Sequence, residues 1–309
     1  MKPAALHPGD LIGILSPAGS LSPGKLEMLQ DGVRYIERCG YRVKTGKFIR
    51  SQYGYLAGTD KQRAADLNRM LLDPEVKAVF CSRGGYGSTR LLNQLEWNRI
   101  AAFPKIIMGY SDITALQLAF YQRLGWITFS GPLVAVELSR PAPLTGQSLW
   151  AVLTGDDPGI LESGEAPADW PDFYGSAEGP LLGGCLSVIS AMIGTAYCPD
   201  FDGAVLLLED VGENLYKIDR YLSQLRNAGI LDRLAGVVLG EFVDLMPDDH
   251  DPPLTLADLM QHYLSSLSIP VITGFPYGHI HEKYTLPLGC RVRIDADMNT
   301  VQFLEKGVT

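Results

Sequence analysis

A serine stands at a sharp predicted turn between a strand and a helix. The apolar run that ends in Met108 is typical of a buried strand, and the segment from Asp112 to Leu124 has the apolar spacing of a helix. Only Gly109-Tyr110-Ser111 separates the two. A serine in such a turn presents its hydroxyl beside the first amides of the helix, as an acyl-transfer nucleophile requires. The same residues also fit a simple helix cap, because the second glycine of a G-x-S-x-G elbow is absent.

A glycine-rich loop precedes this serine. It runs from Ser82 to Arg90, directly after the predicted strand Val76 to Phe80. The sequence does not fit a dinucleotide fingerprint, because Arg90 occupies the position of the third glycine in G-x-G-x-x-G. An oxyanion-hole loop and a turn that only needs glycine at positive φ both remain open. Loops at the carboxyl ends of parallel strands share one crevice, so we expect Gly84-Gly85 and Ser111 to face the same site.

A nucleophilic serine needs a general base and an acid that orients the base. His279 is the best-placed base, because it follows Gly278 in a loop just past a predicted strand. Glu209 and Asp210 end an otherwise apolar strand, where they are either orienting acids or simply groups that reach water. The other acids near the predicted motifs are Asp112 and Glu213. Spacing alone does not choose among these four acids.

His279 and His281 are also spaced as a metal-binding pair on one face of a strand. A zinc site needs further ligands, and the sequence contains neither H-E-x-x-H nor a cysteine cluster. We therefore predict no metal and no other cofactor.

Strands and helices alternate in the first half of the chain, which predicts a parallel sheet with helices on its faces. We place this α/β domain at residues 1–152. A stretch rich in glycine, proline and acidic residues, 153–179, is interpreted as a connection to a second domain at 180–309. Near the end, period-two alternation over Arg291 to Ile294 and Val301 to Leu304 predicts antiparallel edge strands.

The chain is acidic, with a net charge of -9 over 309 residues. This balance argues against nucleic acid or an anionic membrane as the main partner, since both are bound through Lys and Arg. The five cysteines are scattered and form no C-x-x-C pair, and we find neither a signal peptide nor an apolar run of membrane-spanning length. We expect a reduced, cytoplasmic protein.

Four motifs together resemble those of the LD-carboxypeptidase family, in order and over essentially the whole chain. They are Arg83-Gly84-Gly85-Tyr86-Gly87, Gly109-Tyr110-Ser111-Asp112, Leu206-Leu207-Leu208-Glu209-Asp210, and Gly278-His279 with Thr285-Leu286-Pro287-Leu288-Gly289 behind it. The family consists of serine peptidases that remove the terminal D-alanine from muropeptide tetrapeptides in cell-wall recycling. The resemblance implies that Ser111 is the nucleophile, His279 the general base and Glu209 the orienting acid. It also implies an oxyanion hole made by the backbone amides of Gly85 and Asp112.

The resemblance further implies an N-terminal α/β domain, a C-terminal domain with a small barrel-like sheet, a site between them and a homodimer. One departure is Cys185, because relatives have Gly-Gly-Asn-Leu where this chain has Gly183-Gly184-Cys185-Leu186. A carboxypeptidase must recognise a free carboxylate, and the basic residues near the motifs are Arg83, Arg220 and Lys283. Further candidates for substrate contact are Gly84, Tyr86 and Glu213.

Two other functions stay open at this stage. The chain is also similar to the microcin-immunity peptidases, which cleave peptidyl or aminoacyl nucleotides and carry an added aromatic-bearing loop without a clear equivalent here. A non-catalytic protein could instead use the glycine loop to grip a phosphate or carboxylate. Such a binding protein would turn over no peptide, and Ser111→Ala would leave its ligand affinity nearly intact.

Overall fold

The computed structural model describes residues 1–165, 169–246 and 253–309, and the chain divides into two units. The first unit contains Met1–Asp157, His281–Gly289 and Lys306–Thr309. The second contains the described parts of Pro158–Ile280 together with Cys290–Glu305. Each unit is built around its own sheet.

The strands of the described residues follow one another in chain order as β1 (Leu11–Leu15), β2 (Arg42–Thr45), β3 (Val76–Cys81), β4 (Ile106–Gly109), β5 (Thr128–Ser130), β6 (Ile160–Glu162), β7 (Ser176–Cys185), β8 (Val205–Val211), β9 (Gly236–Val243), β10 (Val271–Ile272), β11 (Leu286–Leu288), β12 (Arg291–Asp295) and β13 (Thr300–Phe303). The helices are α1 (Pro23–Arg38), α2 (Asp60–Leu72), α3 (Trp97–Ile100), α4 (Thr114–Leu124), α5 (Pro143–Thr154), α6 (Leu186–Met192), α7 (Leu215–Asn227) and α8 (Leu256–Leu264).

The sheet of the first unit has the strand order β11-β5-β4-β3-β1-β2. Its neighbours are parallel except for β11 and β5. The central strands β1, β3 and β4 consist mostly of buried apolar residues, as expected where helices cover both faces of a parallel sheet. Because β3 and β4 pair in parallel, the glycine-rich loop and Ser111 emerge from the same edge of the sheet, as the sequence predicts.

The sheet of the second unit has the order β10-β9-β8-β7-β12-β13-β6. Its first four strands are parallel, whereas β7, β12, β13 and β6 pair in antiparallel fashion. The long strand β7 joins the two halves, because Ser176–Pro180 pairs with β12 and Leu181–Cys185 pairs with β8. Gly183 permits this second pairing, since a Cβ at that position would lie 2.1 Å from the Leu207 carbonyl oxygen. The two sheets confirm the predicted α/β class.

The observed division of the chain differs from the predicted bounds of 1–152, 153–179 and 180–309. The first unit extends to Asp157 and takes in 281–289, because β11 pairs with β5. The predicted connection contains β6 and the start of β7, while its residues 166–168 lie outside the described residues. The tail strands β12 and β13 are antiparallel as expected, but their prediction as edge strands was wrong, because β6 pairs on the outer side of β13. Within the described residues, no helix is long and apolar enough to cross a membrane.

Candidate active site

Ser111 lies in the turn that the sequence predicts. Strand β4 ends at Gly109, Tyr110 is extended, and a short 3₁₀ turn from Ser111 to Ile113 leads into α4. The φ angle of Ser111 is +65°, in the left-handed region that a residue with a Cβ adopts at a cost of about 1–2 kcal/mol. Such strain is typical of functional sites and of the nucleophile elbow.

The surroundings of Gly109 hold this turn in place. A Cβ on Gly109 would lie 3.0 Å from Ile113 and 3.2 Å from Cys81, so any other residue would have to displace the side chains packed beneath the turn. The amide of Gln117, from α4, donates to the carbonyl oxygens of Gly109 and Phe129, both at 2.8 Å. The helix is thereby fastened to the ends of β4 and β5.

The glycine-rich loop packs directly against the serine. A Cβ on Gly84 would lie 2.8 Å from both the Cβ and the Oγ of Ser111, and 3.6 Å from the amide nitrogen of Asp112. The Gly84 carbonyl accepts a hydrogen bond of 3.1 Å from the Gly19 amide, and Gly85 has a φ of +110°. Glycine at position 84 therefore lets the loop backbone approach the serine hydroxyl and the first amides of the helix, whereas Gly85 packs against Gly19, from whose Cα a Cβ at position 85 would lie 3.2 Å.

Two buried charged side chains fix the far end of this loop. The Arg63 guanidinium, from α2, donates to the Gly87 carbonyl at 2.9 Å and also binds the Pro17 carbonyl and the Asp60 carboxylate. From the other side, the Asp112 carboxylate accepts the Ser88 amide at 2.8 Å. Burial raises the pKa of Asp112, although hydrogen bonds from the loop and the charge of Arg63 oppose that rise.

The second unit brings Glu209 and His279 together. Glu209 follows the apolar run of β8 and is completely buried, and its Oε2 lies 2.7 Å from Nδ1 of His279. The imidazole itself is partly exposed, which leaves it accessible to a reacting group. Gly278 makes this pairing possible, because a Cβ there would lie 3.1 Å from Glu209. A buried carboxylate on one ring nitrogen orients a histidine for general-base work at the other.

Asp210 has a different environment from its neighbour. Its carboxylate accepts the amides of Ser187 at 2.7 Å and Val211 at 2.8 Å, and thus holds the start of α6. The Cys185 thiol, which replaces the expected asparagine, lies 3.6 Å from the same carboxylate. Burial raises the pKa of Cys185, and the charges of Glu209 and Asp210 add to this rise, so the thiol stays protonated. Of the acids considered from the sequence, Glu209 is hydrogen-bonded to His279.

Lys283, a candidate for the substrate carboxylate, is fully buried in an ion pair. Its Nζ lies 2.8 Å from Oε1 of Glu137 and 3.7 Å from the centre of the Tyr110 ring. Burial alone would raise the pKa of Glu137, but Lys283, the Tyr110 hydroxyl and the Leu133 amide together lower it below its usual value. The positive charge of Lys283 is therefore already compensated within the first unit.

Of the remaining substrate candidates, Tyr86 and Arg220 are exposed, whereas Arg83 and Glu213 are half-buried. In the first unit, Arg83 donates to the Ser20 carbonyl at 2.8 Å, and the exposed Tyr86 ring lies 5.8 Å from that of Tyr55. In the second unit, Glu213 pairs with Lys217 at 3.0 Å, and the exposed Arg220 packs over the ring of Tyr216.

Comparison with known proteins decides the family. Residues 12–131 match the LD-carboxypeptidase N-terminal domain and residues 178–294 match the LD-carboxypeptidase C-terminal domain. The chain belongs to the LD-carboxypeptidase family. The resemblance seen in the four sequence motifs is thereby confirmed, and with it the assignment to a family of serine peptidases.

Individual family members are similar over nearly the full length. A probable murein peptide carboxypeptidase of Bacillus subtilis is 36% identical, covering 100% of this chain and 95% of its own. The structure of MccF in complex with glutamyl sulfamoyl guanosine has a TM-score of 0.89 at 28% identity, covering 100% and 99% of the two chains. The muramoyltetrapeptide carboxypeptidase of Oxalobacter formigenes has a TM-score of 0.83 at 30% identity, covering 94% and 97%.

The alternative that His279 and His281 bind a metal has no further ligands to support it in the part of the chain that the structure describes. No group of three or more His, Cys, Asp and Glu side chains there is arranged to hold a metal ion.

Sequence reasoning missed two buried charged residues of this LD-carboxypeptidase. Arg63 shares the buried stripe of α2 with Leu67 and Met70, so its helical spacing could have marked it as an interior arginine. Glu137 carries no comparable local signal, because its partner Lys283 is 146 residues away in the sequence.

Proposed function

We propose that this protein is a serine LD-carboxypeptidase that releases the terminal D-alanine from peptidoglycan-derived tetrapeptides. Membership of the family and the likeness to murein peptide and muramoyltetrapeptide carboxypeptidases support this substrate class. The observation that carries the proposal is the left-handed Ser111 between β4 and α4, packed against Gly84 of the glycine-rich loop. The pair of Glu209 and His279 supplies the base that such a serine needs.

In the proposed reaction, His279 takes the proton of Ser111 as its Oγ attacks the carbonyl carbon of the L,D-amide bond. The amides of Gly85 and Asp112 stabilise the oxyanion, each by a factor of roughly 10²–10³ in kcat. His279 then returns the proton to the D-alanine amine as the amide bond breaks, which leaves an acyl-enzyme. Water, activated by the same imidazole, hydrolyses this ester. Glu209 holds the imidazole in the required tautomer and compensates its charge.

For the substrate carboxylate, we propose Arg83 and Arg220 ahead of Lys283, because the charge of Lys283 is already paired with Glu137. Gly84 packs against Ser111, Tyr86 is exposed in the same glycine-rich loop, and Glu213 is the further candidate in the second unit. The family resemblance also supports a homodimer that acts in the cytoplasm without a cofactor.

A second candidate function follows from the structural similarity to MccF, whose structure has been determined in complex with glutamyl sulfamoyl guanosine. A panel of three substrates separates the two functions: a muropeptide tetrapeptide, the same peptide ending in L-alanine, and a glutamyl sulfamoyl nucleoside. Release of alanine only from the D-alanine peptide would support the carboxypeptidase. Cleavage of the nucleoside alone would favour the MccF-like activity, and cleavage of none would favour a binding protein.

A further inference from the structure

A buried network joins the residue before the nucleophile to the segment that follows His279 in the chain. Oε1 of Glu137 accepts hydrogen bonds from the Tyr110 hydroxyl at 2.7 Å and from Lys283 Nζ at 2.8 Å. Its Oε2 accepts the Leu133 amide at 3.0 Å. Glu137 is 4% exposed and Lys283 is 0% exposed, so neither charge is compensated by solvent.

The network holds Tyr110 at two points. Glu137 binds its hydroxyl, and the Lys283 ammonium lies over the face of its ring. Tyr110 is the last extended residue before the left-handed Ser111, so a displacement of its backbone moves the serine with it. The strained conformation of Ser111 needs surroundings that over-determine it, and this network is one such constraint.

Lys283 is itself held by contacts that do not involve its charge. The Thr145 hydroxyl accepts the Lys283 amide at 3.0 Å and donates to the His281 carbonyl at 3.1 Å. The next strand, β11, then pairs with β5. The backbone around Lys283 is thereby fastened to the first unit independently of Glu137, which gives the ammonium a fixed position.

Stability alone does not account for this arrangement. A buried ion pair recovers little more than its own desolvation cost, and apolar residues of similar volume often serve folding equally well. The pair contributes a defined position for the Tyr110 side chain. Hydrogen bonds and charge specify that position more strictly than apolar packing does.

We propose that Glu137 and Lys283 are positioning residues that fix Ser111 through Tyr110, rather than groups that bind substrate. The inference rests on the proposed function, because it takes Ser111 as the nucleophile. A nucleophile misplaced by about 1 Å loses on the order of 10²-fold in rate, so a loosened Tyr110 should lower kcat much more than it raises KM.

The test measures kcat, KM and thermal unfolding for Glu137→Gln, Lys283→Met, their double variant and Tyr110→Phe on a muropeptide tetrapeptide. We expect each single charge variant to lower kcat by about tenfold or more with KM within about threefold of wild type. The double variant should regain most of the lost melting temperature while kcat stays low. Tyr110→Phe, which removes only the hydroxyl, should lower kcat in the same direction and remains informative if Lys283→Met does not fold.

Lys105→Met is the matched control. Lys105 is another buried lysine, and it donates to the Val76 carbonyl at 2.7 Å. It precedes β4, whereas Ser111 follows that strand. Its loss should therefore lower the melting temperature but leave kcat unchanged. Wild-type kcat in the double variant would overturn the proposal, and so would a raised KM with unchanged kcat, which would mark Lys283 as a substrate contact. Activity retained by Ser111→Ala would instead refute the nucleophile and the proposed function itself.

Discussion

At the scale of single residues, Ser111 is both the proposed nucleophile and a residue with a strained backbone. Its φ of +65° favours glycine over alanine, the reverse of the order at ordinary positions. We therefore expect Ser111→Gly to be more stable than Ser111→Ala by about 1 kcal/mol, with both variants inactive. Denaturant unfolding of the two variants measures this difference. A Ser111→Ala protein at least as stable as Ser111→Gly would contradict the left-handed conformation.

The two adjacent acids Glu209 and Asp210 should separate activity from stability. Glu209 binds His279, whereas Asp210 holds the start of α6. Glu209→Gln should lower kcat by roughly 10²- to 10⁴-fold with little change in KM, because His279, the proposed base, loses its orientation and charge compensation. Asp210→Asn should cost mainly stability. Steady-state kinetics beside thermal unfolding distinguishes them, and the opposite assignment would hold if Asp210→Asn were the inactive variant.

At the scale of elements, the turn after β4 could be predicted from sequence but its surroundings could not. The apolar run ending at Met108 and the spacing of α4 placed the turn correctly, because both are local patterns. The clamp of Arg63 on the Gly87 carbonyl joins residues 24 positions apart in different elements, and no local pattern specifies that contact. Propensity likewise gave no sign that β11, only three residues long, would pair with β5.

The close packing of the glycine-rich loop on Ser111, the proposed nucleophile, leads to a steric prediction. Gly84→Ala should lower kcat by about 10²-fold or more, because the added methyl group must displace either the loop or the Ser111 side chain. Gly24→Ala is the control, since a Cβ at that position of α1 meets nothing within 4 Å. The measurement is kcat of both variants on the tetrapeptide. Equal kcat values would contradict the prediction, because they would show that the loop accommodates the methyl group without displacing Ser111.

At the scale of the whole molecule, the pair of Glu137 and Lys283 should contribute to acid lability. The pKa of Glu137 is lowered in the folded state, so its contribution to stability is complete above about pH 4.5 and is lost as the pH falls through the folded value. The double variant Glu137→Gln with Lys283→Met lacks this contribution. We therefore expect wild type to lose more stability than the double variant between pH 5 and about pH 3. Urea unfolding of both proteins at the two pH values measures their free energies of unfolding. Equal losses of stability in the two proteins would contradict this expectation.

The division into two units depends partly on long-range strand pairing that the sequence does not reveal. Alternation of strands and helices predicted the first sheet, and the apolar run of β8 pointed to Glu209 at its end. The return of 281–289 to the first unit depends on pairing between β11 and β5, which are more than 150 residues apart. Such long-range pairing is set by tertiary packing rather than by local periodicity.

The most direct test of the central claim is mass spectrometry of a muropeptide tetrapeptide incubated with the purified protein and with Ser111→Ala, each with and without EDTA. We predict that wild type removes one alanine whether or not EDTA is present, because the proposed reaction of Ser111, His279 and Glu209 needs no metal. Ser111→Ala should leave the tetrapeptide intact. Loss of alanine with Ser111→Ala, or loss of wild-type activity in EDTA with recovery in zinc, would contradict the account.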